Sequence, residues 1–158
     1  MLERFGRDMT KEQINEFSMR ISQSNKTQIV VVTFEIIINY IDSALEAMRE
    51  DKTDDFVFNV KKARQFVNQL STSLDFRYGI AVDLMNLYLF ANDCLLKSEL
   101  RKQNVELEAV KKIMEKLHAS FEEVSRQDTS APVMTGGEKV YQGLTYGKNG
   151  QGNIFVSK

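Results

Sequence analysis

The sequence has few of the residues that build disulfides, metal centres and turns. Its 158 residues include one cysteine, Cys94, one histidine, His118, and no tryptophan. A single cysteine excludes an internal disulfide and any multi-cysteine metal site, and a single histidine excludes sites that need two imidazoles. Proline occurs once, at Pro132, and only two of the eight glycines precede residue 136. Because proline and glycine mark turns, their scarcity favours long helices.

An excess of charge of one sign is also absent. The chain has 21 basic and 22 acidic residues and a net charge of −1, which gives no electrostatic argument for nucleic acid or an anionic membrane as partner. The most hydrophobic stretch, Ile29 to Ile41, is too short to span a bilayer and contains Glu35 and Asn39. Residues 1–24 lack the apolar core of a signal peptide. We therefore predict a soluble protein of a reducing compartment with no membrane or nucleic-acid partner.

The distribution of glycine and proline divides the chain into three parts. The length and the 42% apolar content suit one globular domain that needs no covalent staples. Residues 1–24 are polar with scattered apolar positions, and residues 25–126 are predicted to form the helical domain. Residues 127–158 contain Pro132 and six of the eight glycines. We predict that this last part is a flexible tail.

Four patterns of apolar spacing predict helices over about 26–50, 54–75, 80–101 and 105–125. Asn25 and Gln28 have the spacing of a capping box at the first helix. That helix begins with many β-branched residues, which favour strands, but burial inside a bundle outweighs the propensity cost. We expect Thr53 or Asp54 to cap the second helix and Asn104 the fourth. The short connections imply an all-α, antiparallel up-and-down four-helix bundle.

A weaker helical pattern precedes this bundle. Thr10 and Gln13 have capping-box spacing, and Ile14, Phe17 and Ile21 share one helical face. A helix this short is not stable alone in water, so the segment must dock on the bundle or remain loose.

The third predicted helix has two apolar sides, whereas a bundle helix normally needs one. The first side is formed by Ile80, Leu84, Leu87, Ala91, Cys94 and Leu95. Nearly opposite lie Leu100 and four further apolar residues, Val82, Met85, Leu89 and Leu96. These four residues are either core residues of a central helix or a surface offered to an amphipathic partner segment. The segment carrying Ile14, Phe17 and Ile21 is a candidate for covering that surface when the partner is absent.

The residues give little support for catalysis. Glu115 and His118 match the Glu-x-x-His spacing of carboxylate-bridged di-metal bundles, but no second histidine completes such a site. Phosphotransfer through His118 is a second hypothesis, because Lys111, Lys112 and Lys116 lie near it in the sequence and attract phosphate. Cys94 falls on a core position, as small buried cysteines do. We predict no catalytic residue, no metal site and no cofactor.

The order of three motifs resembles the FliS-type flagellar export chaperones, which bind flagellin. Lys62–Asp75 is similar to the family's Lys-Ala, Leu and Leu-Asp pattern at the end of its second core helix. Gly79–Phe90 resembles the next helix, with its Leu-x-x-Leu-Tyr signature at Leu84, Leu87 and Tyr88. Ser24–Phe34 is similar to the first core helix, although Asn25-Lys26 stands where the family usually has Ser/Thr-Pro. The resemblance covers roughly residues 12–125.

The resemblance implies a non-enzymatic chaperone. Such a protein holds the C-terminal segment of flagellin in the cytoplasm, prevents premature polymerisation and releases the segment at the export gate. We expect a monomer or weak dimer that binds flagellin through Val82, Met85, Leu89 and Leu96. If Ile14, Phe17 and Ile21 compete for that surface, removing residues 1–22 tightens binding. The rival hypotheses are phosphotransfer by His118 and an oligomeric structural bundle.

Overall fold

A computed structural model describes residues 10–133, 140 and 142–144, and every regular element among them is a helix. The helices are α1 (Lys11–Ser22), α2 (Lys26–Arg49), α3 (Thr53–Thr72), α4 (Ile80–Arg101) and α5 (Leu107–Ser125). Val140 and residues 142–144 are also helical. The predicted all-α bundle is confirmed. Parts of the predicted N-terminal segment and tail, residues 1–9, 134–139, 141 and 145–158, lie outside the described residues.

Helices α2 to α5 surround one apolar core. Helix α2 packs against α3 and α5, α3 packs against α4, and a smaller contact between α4 and α5 closes the ring. Three pairs show that α2 and α5 run in opposite directions, because the partner on α2 moves back as the chain advances along α5: Lys111–Asp42, His118–Glu35 and Phe121–Phe34. Because α2 contacts α1 as well as α3 and α5, it is the central helix of the domain.

The burial of α2 explains why a β-branched sequence forms a helix. Ile36, Ile37 and Ile41 are each 0% exposed, and fully burying such a side chain gains roughly 1.5–3 kcal/mol, whereas the helix-propensity cost is a few tenths of a kcal/mol per residue. The helix begins as predicted, because Asn25 Oδ1 accepts from the Gln28 amide at 2.9 Å and the Gln28 side chain accepts from the Asn25 amide. Packing therefore decides the conformation and the cap decides the boundary.

Two other helix starts differ from the predictions. Lys52 is the N-cap of α3 and makes no side-chain cap, because its ammonium group has no acceptor for a backbone N–H. The turn before it passes through Asp51 with a positive φ of 57°. Helix α5 begins at Leu107, two residues late, after Glu106 with φ of 59°. Asn104 still acts at this boundary, since its Oδ1 accepts from the Leu107 amide at 2.9 Å.

Helix α2 satisfies the length and hydropathy criteria of a membrane-spanning helix, and among the described residues it alone does so. Its most apolar window has a mean hydropathy of 1.5, yet 56% of that window is buried inside the domain. The core helix of a bundle has these properties because it is surrounded by other helices rather than by water.

The chain after α5 returns to the bundle. Asn25 Nδ2 donates to the backbone oxygens of Asp128 and Ser130, at 3.1 and 3.3 Å, and the Val133 amide donates to the Ser24 oxygen at 3.1 Å. Farther on, Val140 and Leu144 are 4% and 1% exposed and belong to the main core. The flexible tail over 127–158 stays a prediction, and these described positions show only that two of its apolar side chains are buried against the bundle.

Candidate partner-binding surfaces

Helix α4 has an exposed apolar face on the side away from the core. Its inner side is formed by buried residues, Ala81, Leu84, Tyr88, Ala91, Cys94 and Leu95. On the outer side Val82 is 56% and Leu89 57% exposed, while Met85 and Leu96 are half-buried. At 100° per residue these four lie within an arc of about 60°. They form one apolar stripe, here called the α4 outer face, and none of them is sealed in the core.

Several other apolar residues, in α4 and in the turn before it, are exposed although the sequence pattern did not predict this, and Ile80 was predicted on the core side. Phe76 and Tyr78, in the turn before α4, are 57% and 63% exposed, and Ile80 at the first position of the helix is 60% exposed. Phe90 is 43% exposed. The signal was present in the sequence, because two aromatic residues in a short reversal have little opportunity for burial. Exposed apolar residues that cluster, rather than occur singly, mark interaction surfaces.

The N-terminal residues predicted to cover the α4 outer face lie elsewhere. Helix α1 packs against α2, Phe17 and Ile21 are 7% and 1% exposed as members of the main core, and Ile14 packs partly buried against it. These three residues are therefore core contacts in this structure. They become available to a partner only if α1 leaves α2.

An ionic cluster joins α1 and α5 to α2. Arg20 donates two hydrogen bonds to Glu35, Nη1 to Oε1 at 2.5 Å and Nη2 to Oε2 at 3.0 Å. His118 Nε2 lies 2.8 Å from the same Oε2. Partial burial raises the pKa of Glu35, but the hydrogen bonds from Arg20 and His118 outweigh this effect and hold that pKa below its ordinary value.

This pairing changes the interpretation of His118. The histidine side chain is 22% exposed and directed at Glu35, so the imidazole contributes to the contact between α5 and α2. Within the described part of the chain, no three histidine, cysteine or acidic residues converge as metal ligands. Cys94 is buried as predicted, and burial raises the pKa of its thiol, which makes it a poor nucleophile.

A second apolar surface, the groove between α2 and α3, holds part of the C-terminal chain. Val140 and Val133 line a cavity of about 480 Å³ together with residues of both helices, including Ile29, Val30 and Leu70. Val133 lies at the start of α2, where its amide donates to the Ser24 oxygen, and Gly143 lies against Phe66 on α3.

The far end of this groove is closed by an unusual buried lysine. Tyr40 and Phe66 stack with ring centroids 6.0 Å apart, and Lys62 Nζ lies 5.9 Å from each centroid. Lys62 is 6% exposed and donates to the Gly143 oxygen at 2.5 Å. In the sequence Lys62 stands out only as part of a motif, since no local pattern indicates that its partner lies 81 residues further along the chain.

Comparison with known proteins decides the family. The family model described as Flagellar protein FliS matches residues 9–128. The chain belongs to the FliS family. FliS proteins are cytoplasmic flagellar chaperones and are not known as enzymes, which does not favour phosphotransfer by His118. A search of curated proteins finds no match. The FliS match ends before Val133, Val140 and Leu144, so the segment in the α2–α3 groove lies outside the matched domain.

Proposed function

We propose that this FliS-family protein binds the C-terminal segment of newly made flagellin in the cytoplasm, prevents its premature polymerisation and delivers it to the export gate. The observation that supports the proposal is the α4 outer face, an apolar stripe that remains exposed after the bundle has formed its core. Flagellin's C-terminal segment polymerises through amphipathic helices, and such a helix covers its apolar side by packing it into a complementary surface.

The α4 outer face suits reversible binding. Val82 and Leu89 are more than half exposed, so a partner gains hydrophobic free energy by covering them without opening the bundle. Met85 adds an unbranched, adaptable side chain that packs against varied shapes. The contact is apolar and leaves the domain folded. Release at the export gate therefore requires only another surface that buries more of the partner's apolar side.

The test is calorimetry with a peptide of the flagellin C-terminal segment. We expect binding with a negative heat-capacity change, because apolar surface is buried. Leu89→Asp places a charge in the stripe and should weaken binding by about tenfold or more, since a buried unpaired charge is costly. Its fold should persist, because substitutions of exposed residues usually change stability by less than about 0.5 kcal/mol.

Val124→Asp is the matched control, because Val124 is a 52% exposed apolar residue on α5 rather than α4. It should leave the affinity unchanged. Equal binding by folded Leu89→Asp would remove the α4 outer face from the proposal, and failure of the unaltered chain to bind the peptide would reject flagellin as the partner. Sedimentation of the unaltered chain tests the expected monomer or weak dimer.

A further inference from the structure

The C-terminal segment seated in the α2–α3 groove has the features of a built-in ligand. Val140 and Leu144 lie four residues apart, as the apolar anchors of a docked helix do, and they are 4% and 1% exposed. Gly143, between them, is itself buried. The anchors belong to the same apolar core as α2 and α3, although they lie beyond the FliS match at residue 128.

The part of the α2–α3 groove that receives this segment, here called the seat, accepts only a small residue at position 143. A Cβ atom added to Gly143 would lie 2.8 Å from Phe66 Cζ and 2.9 Å from Gln65 Nε2, closer than side-chain atoms pack. The backbone therefore approaches α3 closely enough for Lys62 to reach the Gly143 oxygen. That contact gives the buried Lys62 ammonium group a hydrogen-bond acceptor.

The segment fills only part of the groove. Alongside Val133 and Val140 a cavity of about 480 Å³ remains, lined mainly by α2 and α3 residues such as Ile29, Val30 and Leu70. Unfilled space means lost packing contacts. A longer amphipathic helix would occupy the positions of Val140 and Leu144 and also fill the remaining cavity, so it gains more contact than the segment that it replaces.

We propose that the segment containing Val140 and Leu144 is an intramolecular competitor, which occupies the α2–α3 groove and is displaced by an apolar helix of flagellin's C-terminal segment. This inference rests on the proposed function and gives the flagellin segment a second contact, in addition to the α4 outer face. The seat defines the incoming helix: apolar residues at positions i and i+4, a small residue at i+3, and a carbonyl group that accepts from Lys62. Because the competitor reduces the binding-competent fraction, it raises the apparent dissociation constant.

Two full-length variants test this competition by calorimetry with the flagellin C-terminal peptide. Leu144→Asp places a carboxylate in the apolar seat, and Gly143→Val introduces atoms where Phe66 and Gln65 lie. Each should unseat the segment and tighten peptide binding by about five- to tenfold, the change expected if the groove is open in a tenth to a fifth of molecules. Ala131→Asp is the control, since Ala131 is exposed on the same C-terminal chain, and it should leave the affinity unchanged.

Methyl NMR of the unaltered chain provides a test that needs no substitution. The Val140 and Leu144 methyl resonances should move to solvent-exposed positions as the peptide saturates the protein. Unmoved resonances, or unchanged or weaker binding by both variants, would overturn the competitor while leaving flagellin binding intact. If the unaltered chain and both variants all fail to bind the peptide, the proposed function is rejected and the competitor with it.

Discussion

Glu35 connects three helices through one carboxylate. It accepts two hydrogen bonds from Arg20 on α1 and lies 2.8 Å from His118 Nε2 on α5. We predict that Glu35→Gln lowers the free energy of unfolding at pH 7 by about 1–2 kcal/mol, because hydrogen bonds to a charged group are lost at a site that solvent reaches only in part. Urea unfolding followed by circular dichroism measures this loss.

The pH dependence of the stability of Glu35→Gln distinguishes the loss of the carboxylate charge from a change in side-chain shape. The folded-state pKa of Glu35 lies below its ordinary value of 4.5, so its stabilising contribution is present above that value and is lost as the pH falls through the folded pKa. The difference between Glu35→Gln and the unaltered protein should therefore shrink below about pH 4.5. Glu123→Gln, in an exposed pair with Arg126, should change stability little at any pH. A pH-independent difference at position 35 would contradict the assignment.

At the scale of the element, Asn25 performs two tasks at the start of α2. Its Oδ1 caps the helix by accepting from the Gln28 amide, and its Nδ2 donates to the backbone of Asp128 and Ser130. We predict that Asn25→Ala lowers the unfolding free energy by about 1–2 kcal/mol, the usual cost of an N-cap. Asn25→Ser keeps a capping oxygen and should lose less, as measured by urea unfolding. Equal losses would show that the cap is not the source of the stability.

Helix existence could be predicted from the sequence, whereas some helix boundaries could not. The apolar spacing of Phe56, Val60, Ala63 and Val67 predicts the buried side of α3, and all four are at most 1% exposed. The N-cap of α3 was predicted incorrectly because the chain turns at Asp51 with a positive φ, which local propensity does not disclose. Likewise the α4 outer face was visible as a second stripe, but its exposure depends on which sides of α4 the ring of helices covers.

At the scale of the molecule, the C-terminal contact shows what local sequence cannot predict. Glycine and proline content indicates flexibility, yet Gly143 provides the close approach to Phe66 that lets Leu144 enter the core. Its effect depends on a surface formed by α2 and α3, far away along the chain. The two anchors, Val140 and Leu144, are too few to form a recognisable helical period. Their role can be recognised only once α2 and α3 have formed the groove.

Leu95 and Leu144 are almost equally buried but lie in different parts of the fold, so truncating each one shows whether burial or position determines the loss of stability. They are 0% and 1% exposed, so buried area alone predicts equal losses on truncation. Leu95 lies within α4, and we predict that Leu95→Ala lowers the free energy of unfolding by about 2–5 kcal/mol, as for other leucines removed from closed cores.

Leu144→Ala should lower the global unfolding free energy by less than about 2 kcal/mol, because the segment can leave the groove while the bundle remains folded, and its loss is limited to the free energy of docking. Hydrogen exchange supplies a second readout: the Leu144 amide should lose protection while the α4 amides retain theirs. Equal losses in urea, with exchange increased throughout α4, would mean that the segment unfolds only with the whole bundle, and a partner could not displace it locally.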